Sequence, residues 1–169
     1  MRALAALLLL SSVANAEPTL AERVASVLGQ KRLGKELTTA NVIDRLKPLA
    51  TVAPEKEDQQ GWAFSGTASD VAWVSATFHP DHVKKGKYNF QSLLIGLKGD
   101  GDLDALETAV RNELQKRLGK GRRYDKTQWV WRLGDRELFL SNGPVGNPMR
   151  ADRREEKVVH LELSFVNDD

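Results

Sequence analysis

The sequence predicts a single α+β domain: a mostly antiparallel sheet of about six strands, one long helix after the third strand packed on one face, and two short N-terminal helices. Three observations predict it. Apolar residues recur at helical spacing from Leu20 to Leu28 and from Leu103 to Leu118. On either side of the second of these, over 62–97 and 126–167, they recur with period two, the mark of strands with one buried face. The stretch KTQWVWRLGDRELFLS, 126–141, folds on paper into a hairpin.

The first sixteen residues, MRALAALLLLSSVANA, lie outside this domain. Arg2 precedes an apolar run from Ala3 to Leu10, and Ala14-Asn15-Ala16 supplies a small-x-small cleavage site. That is the layout of a secretory signal peptide, and the run is too short to span a bilayer, which takes ~20 residues. The mature chain is expected to begin at Glu17. Residues 17–60 then read as a helical segment and polar connector, and 61–169 as the sheet region of the same domain. The chain has no cysteine, which excludes a disulfide framework, thiolate metal sites and a cysteine nucleophile. It also has no Asn-x-Ser/Thr sequon, so the expected compartment is a bacterial periplasm, with secretion beyond it the other outcome. No later run is long and apolar enough to cross a membrane. Of 25 basic and 23 acidic residues, Arg2 leaves with the leader, so the mature chain carries a surplus of one positive charge. Nucleic acid wants a concentrated basic face, and this balance does not predict one.

In chain order, Thr19 and Glu22 form a capping box ahead of Leu20, Val24, Val27 and Leu28, and Gly29 ends that helix. A second helix is expected from about Thr39 to Lys47, with Val42, Ile43 and Leu46 inward and Pro48 as its stop. TVAPEKEDQQG, 51–61, reads as a solvated connector. WAFSGTAS and VAWVSATF are the first two strands. The third, 87–97, is expected to turn Asn89, Gln91, Leu93, Ile95 and Leu97 to one face. Asp102 caps the long helix, whose stripe is Leu103, Leu106, Val110, Leu114 and Leu118; Gly119 ends it. Glu107–Arg111 and Glu113–Arg117 are i,i+4 pairs in the favourable order.

The hairpin turns at Gly134-Asp135. Its pairs are then Leu133–Arg136, Arg132–Glu137, Trp131–Leu138, Val130–Phe139, Trp129–Leu140 and Gln128–Ser141. One face carries Trp129, Trp131, Leu138 and Leu140, so the two tryptophans are expected in the core rather than as a ligand platform. The last strand, KVVHLELSFVN, sets Val159, Leu161, Leu163 and Phe165 on one side and His160, Glu162 and Ser164 on the other, wet side.

The short motifs that suggest chemistry fail on inspection. GQKRLGKE, 29–36, matches Gly-x4-Gly-Lys, but Glu36 stands where a phosphate loop needs Ser or Thr, and no strand precedes it. DGDLD, 100–104, alternates acids as a calcium loop does, but Ala105 and Arg111 stand where glycine and a bidentate glutamate belong. HPDH, 79–82, holds two imidazoles and a carboxylate in a loop, with no helical face to converge them on a metal. No Gly-x-Ser-x-Gly elbow and no His-Glu-x-x-His helix occurs. No motif asks for a cofactor or metal, and no catalytic residue is assigned.

The candidate surface comes from topology. The hairpin pairs Gln128 with Ser141, so the segments leading in and out of it start close together. The first, 119–126, carries Lys120, Arg122, Arg123, Tyr124 and Lys126; the second, 143–156, reads as a long irregular connection with Arg150, Arg153 and Arg154. Arginine suits bidentate contact with carboxylate or phosphate, and a tyrosine can stack beside it. These residues are the expected partner-binding site. The expected function is an exported, non-catalytic binding protein. Its partner would be another protein, as for an inhibitor or immunity factor, or an anionic envelope component such as a lipid headgroup or wall polymer. The alternatives are a hydrolase with a site assembled from scattered residues, for which His79, His82 or His160 would have to meet a carboxylate in a pocket, and a carrier with an apolar pocket under the long helix.

Overall fold

The structure, a computed structural model, describes residues 16–55, 61–99 and 101–166. The leader lies outside them but for Ala16, as do residues 56–60 of the connector. Among the described residues four helices are formed: α1 (Leu20–Leu28), α2 (Leu33–Glu36), α3 (Val42–Leu46) and α4 (Leu103–Leu118). The strands are β1 (Thr51–Pro54), β2 (Trp62–Thr67), β3 (Val71–Pro80), β4 (Tyr88–Leu97), β5 (Arg122–Arg123), β6 (Gln128–Arg132), β7 (Arg136–Gly146) and β8 (Glu155–Phe165). They make one antiparallel sheet in the order β1-β2-β3-β4-β8-β7-β6-β5.

The α+β class with a large antiparallel sheet is as the pattern predicts, but the sheet has eight strands among the described residues, not six. The two extra strands are edges. In β1, read as connector, only Val52 is buried, so no alternation marks it. In β5 both residues are exposed arginines, and only their pairing with Val130 and Trp129 makes a strand.

Two meanders, β1–β4 and β5–β8, meet where β4 pairs with β8. The chain passes between them through α4, which packs on β7, β8 and α1. Helices therefore cover one face of the sheet. That face holds the main core, in which Val24, Leu28, Leu46, Phe78, Ile95, Val110, Leu114, Leu138, Leu140 and Leu161 are fully buried. The other face, called open below, carries no helix among the described residues.

Local signals explain α1 and α4. Thr19 and Glu22 complete both halves of the capping box of α1. Asp102 accepts the Ala105 N–H at the start of α4, and Gly119 leaves its end at φ +87°, where glycine is favoured. Within α4, Glu107 pairs with Arg111 at 3.4 Å as expected, but Glu113 takes Lys116. Arg117 instead lies against Gly29 at the end of α1, where a Cβ would fall 2.4 Å from its Cδ. The second expected helix is shorter than 39–47, and Ile43 is 45% exposed rather than inward. The phosphate-loop look-alike contributes α2, whose Leu33 is buried.

β4, expected as the third strand, departs from simple alternation. Thr77 pairs with Ser92 but Phe78 pairs with Phe90, so Gln91 is an extra residue in the ladder. This bulge turns Phe90 inward beside Leu93, and Asn89 and Gln91 do not share the core face. The bulge carbonyls are capped by Arg136. Its Nη1 donates to the Gln91 oxygen and its Nη2 to the Phe90 oxygen, both at 2.7 Å.

The hairpin register is as predicted at every pair from Gln128–Ser141 to Arg132–Glu137, with Gly134 at φ +76° and the Leu133 N–H donating to the Arg136 oxygen. Beyond Ser141 the strand continues. β7 pairs with β8 as far as Gly146 and Glu155, so the irregular connection expected over 143–156 shrinks to residues 147–154.

Candidate functional site

Trp131 fixes where the candidate segment begins. Its ring is buried, its Nε1 donates to the Gly119 oxygen at 3.0 Å, and a Cβ on Gly121 would fall 2.6 Å from it. The tryptophan thus fills core and holds the chain that leads into β5. Trp129 is half-buried against the same core, with the guanidiniums of Arg111 and Arg123 over its ring at 4.8 and 5.9 Å. Neither ring is an open platform.

The eight expected site residues are not one cluster. Arg122 pairs with Val130, which puts it on the open face; Arg123 pairs with Trp129 and turns to the other. Arg123 is also engaged in its own turn, donating to the Asp125 and Lys126 carbonyls. That turn is built on Asp125, whose carboxylate accepts the Thr127 N–H, the Thr127 hydroxyl and the Gln128 N–H. Those donors hold the Asp125 carboxyl below its ordinary range, the Thr127 N–H most of all. Tyr124 is 62% exposed and stands edge-on to Phe139, ring centres 6.1 Å apart. Lys126 is exposed at the turn, and Lys120 lines a smaller recess of about 330 Å³ beside Arg122.

The arginines of the other segment stand apart, in the 147–154 loop. Asp152 takes Arg150 in a two-point contact of 3.0 and 3.1 Å and also accepts the Arg154 N–H. Donating to the Asp152 carboxylate raises the Arg150 pKa, and the hydrogen bonds Asp152 accepts, from Arg150 first and then from the Arg154 N–H, lower its own. Arg153 is exposed at φ +43°. Asn147 ties the loop base, accepting from Met149 N–H and donating to Glu156.

Arg122 and Tyr124 open instead onto a groove of about 870 Å³ on the open face, lined by β6, β7 and β8. Its floor is a grid of cross-strand rows. One row runs Gln128, Ser141, His160 and Gly96; the next, Val130, Phe139, Glu162 and Leu94; the third, Arg132, Glu137 and Ser164. Trp73 bounds the first row, its buried ring lying over Gly96 with no hydrogen-bond partner for Nε1 among the described residues. Trp73 belongs to a second small cluster with Ala72, Val158 and Val145, which holds the far end of β7 and β8.

Burial lowers the His160 pKa, and Glu162 works against that shift, so the imidazole is neutral at pH 7. Among the described residues no side-chain hydrogen bond is made by Gln128, Ser141, His160 or Glu162. His79 and His82 are exposed, and the Asp81 carboxylate between them is taken up by the Val83 and Lys84 N–H groups. Under α4 the chain is filled by Val110 and Leu114, both at 0% exposure, and the larger groove lies on the opposite face from the expected carrier pocket.

Sequence reasoning missed the groove. Its residues are the polar half of the very alternation that located the core, and the signal for them was the wet side of the last strand, His160, Glu162 and Ser164. What could not be read was that β7 and β8 run on together and that the helices leave this face open.

No protein-family model matches the chain, and no curated protein matches it. Among solved structures, a DUF4309 family protein (YjgB) from Bacillus subtilis is similar at 15% identity and a TM-score of 0.39, over 86% of this chain and 97% of that one.

Proposed function

We propose that this is an exported, non-catalytic binding protein that acts by contact with a protein or other component of the bacterial envelope. Export rests on the leader pattern of residues 1–16. The observation that carries the binding reading is the groove on the open face. An eight-stranded sheet is covered on one side by helices, and on the other it presents a concave floor of half-buried polar and aromatic side chains, with Arg122 and Tyr124 at the rim. Concave sites with a few convergent polar groups are where proteins take ligands.

The test is affinity capture from the native envelope by the wild-type protein and by two variants. Arg122→Glu with Tyr124→Ala is expected to abolish capture while the fold is retained. Arg150→Glu with Arg154→Glu is expected to leave it intact. The reverse pattern would move the contact to the 147–154 loop, and capture unaffected by either variant would remove both surfaces.

A hydrolase is the second reading, favoured by one observation. His160, a neutral imidazole, shares the groove floor with its cross-strand neighbour Ser141 and with Glu162. Among the described residues no hydrogen bond joins Ser141 to His160, so the nucleophile–base contact such chemistry uses is not formed. Ester or glycoside hydrolysis by the wild type that is lost in His160→Gln would establish this reading over the first.

A further inference from the structure

We infer that the groove binds an uncharged, polyhydroxylated ligand, a segment of neutral saccharide chain; this rests on the open face being the contact surface. A sugar ring has an apolar C–H face and a rim of hydroxyls that donate and accept. The floor has the same plan. Phe139 lies in the middle row, with Tyr124 edge-on beside it. The rows on either side offer an amide, hydroxyls, an imidazole, a guanidinium and a carboxylate, and Glu162 adds a second carboxylate beside Phe139. Gln128, Ser141, His160 and Glu162 are half-buried with no side-chain hydrogen bond among the described residues. A hydrocarbon ligand would strip water from these groups and leave them unpaired, which is costly; hydroxyls would pair them.

Charge narrows the ligand further. Arg122 and Arg132 face Glu137 and Glu162, and His160 is neutral, so the lining sums to zero. A polyanion would meet the two carboxylates and a polycation the two guanidiniums. A neutral ligand meets no like charge.

A peptide added as a strand does not fit beside the stretch of β7 that β6 leaves uncovered. β6 ends at Gln128, opposite Ser141, so β7 from Asn142 to Gly146 pairs on the β8 side alone among the described residues. The Leu133 N–H donates to the Arg136 oxygen at the hairpin. Alternation then points the backbone of residues 138, 140, 142, 144 and 146 toward the β6 side. The middle one of the free positions is Pro144, which has no N–H to give.

The experiment is isothermal titration of the protein with neutral tetrasaccharides of glucose, mannose, galactose and N-acetylglucosamine, beside the glucosamine and galacturonate tetramers as cationic and anionic counterparts. At least one neutral tetramer is expected to bind, more tightly than its charged counterpart. Phe139→Ala is expected to weaken it about tenfold or more. Gln128→Ala, in the next row, is expected to weaken it too, and it serves if Phe139→Ala fails to fold. No neutral tetramer binding at millimolar concentration would overturn the inference. So would tighter binding of a charged tetramer, or affinity unchanged in both folded variants. If envelope capture is lost on Arg122→Glu with Tyr124→Ala while no saccharide binds, the contact surface stands and the ligand class falls. If neither holds, both fall.

Discussion

Arg136 holds the bulge of β4 from within the core. It is 5% exposed, and among the described residues no carboxylate pairs with it. Its guanidinium lies over Phe165 at 3.3 Å and Phe90 at 4.8 Å, and two of its donors go to the bulge carbonyls of β4. Burial lowers its pKa, but an arginine remains charged at any ordinary pH. Replacing Arg136 with Met strands those two buried carbonyls. The expected cost is about 2–4 kcal/mol of unfolding free energy, read as a lower urea midpoint at unchanged slope. His160 makes a different prediction. Its folded pKa lies below the ordinary 6.5, because burial disfavours the charged ring. Above that value it contributes nothing to the pH dependence. As pH falls through about 6.5 the unfolded chain takes up a proton that the folded chain refuses, so stability drops until the folded pKa is passed. His160→Gln should therefore flatten the acid side of the stability curve, with urea midpoints at about pH 7.5 and about pH 5.5 brought closer together than in the wild type.

At the scale of elements, close approach decides more than propensity. Trp73 lies flat on Gly96, where an added Cβ would fall 2.5 Å from the indole. Gly96→Ala is thus expected to displace the ring and cost about 1–3 kcal/mol, with a lower melting temperature and a red-shifted tryptophan emission. The same element shows what sequence could and could not say. The hairpin was legible to the individual pair, because a two-residue turn fixes register and the charges of Arg132 and Glu137 agree with it. The capping box of α1 and the Asp102 cap of α4 were legible because they are local. The bulge at Gln91 was not, since its cause, the Arg136 side chain, arrives from forty-five residues away. The edge strands were not, because β1 buries one residue and β5 none. Of the site residues, Arg122 and Tyr124 reach the groove, while Arg123 turns away and Arg150 is held by Asp152. Which face a basic residue takes depends on a pairing with β6 that two exposed arginines do not advertise.

At the scale of the molecule, the two meanders depend on one seam. Leu161 pairs with Ile95 on one side and Leu140 on the other, and all three are fully buried. Leu161→Ala should cost about 2–5 kcal/mol. Both meanders should lose structure in one transition, with near-UV and far-UV signals coincident in urea. Separate transitions would show that the halves fold independently.

That seam also sets an order of events during synthesis. β8 is the last strand described, yet it fills the middle of the sheet. A chain emerging from its N-terminus can assemble β1 to β4 and the β6–β7 hairpin but cannot unite them until residues 155–165 are released. Up to that moment β4 and β7 each present a bare flank, which invites foreign pairing and benefits from a chaperone.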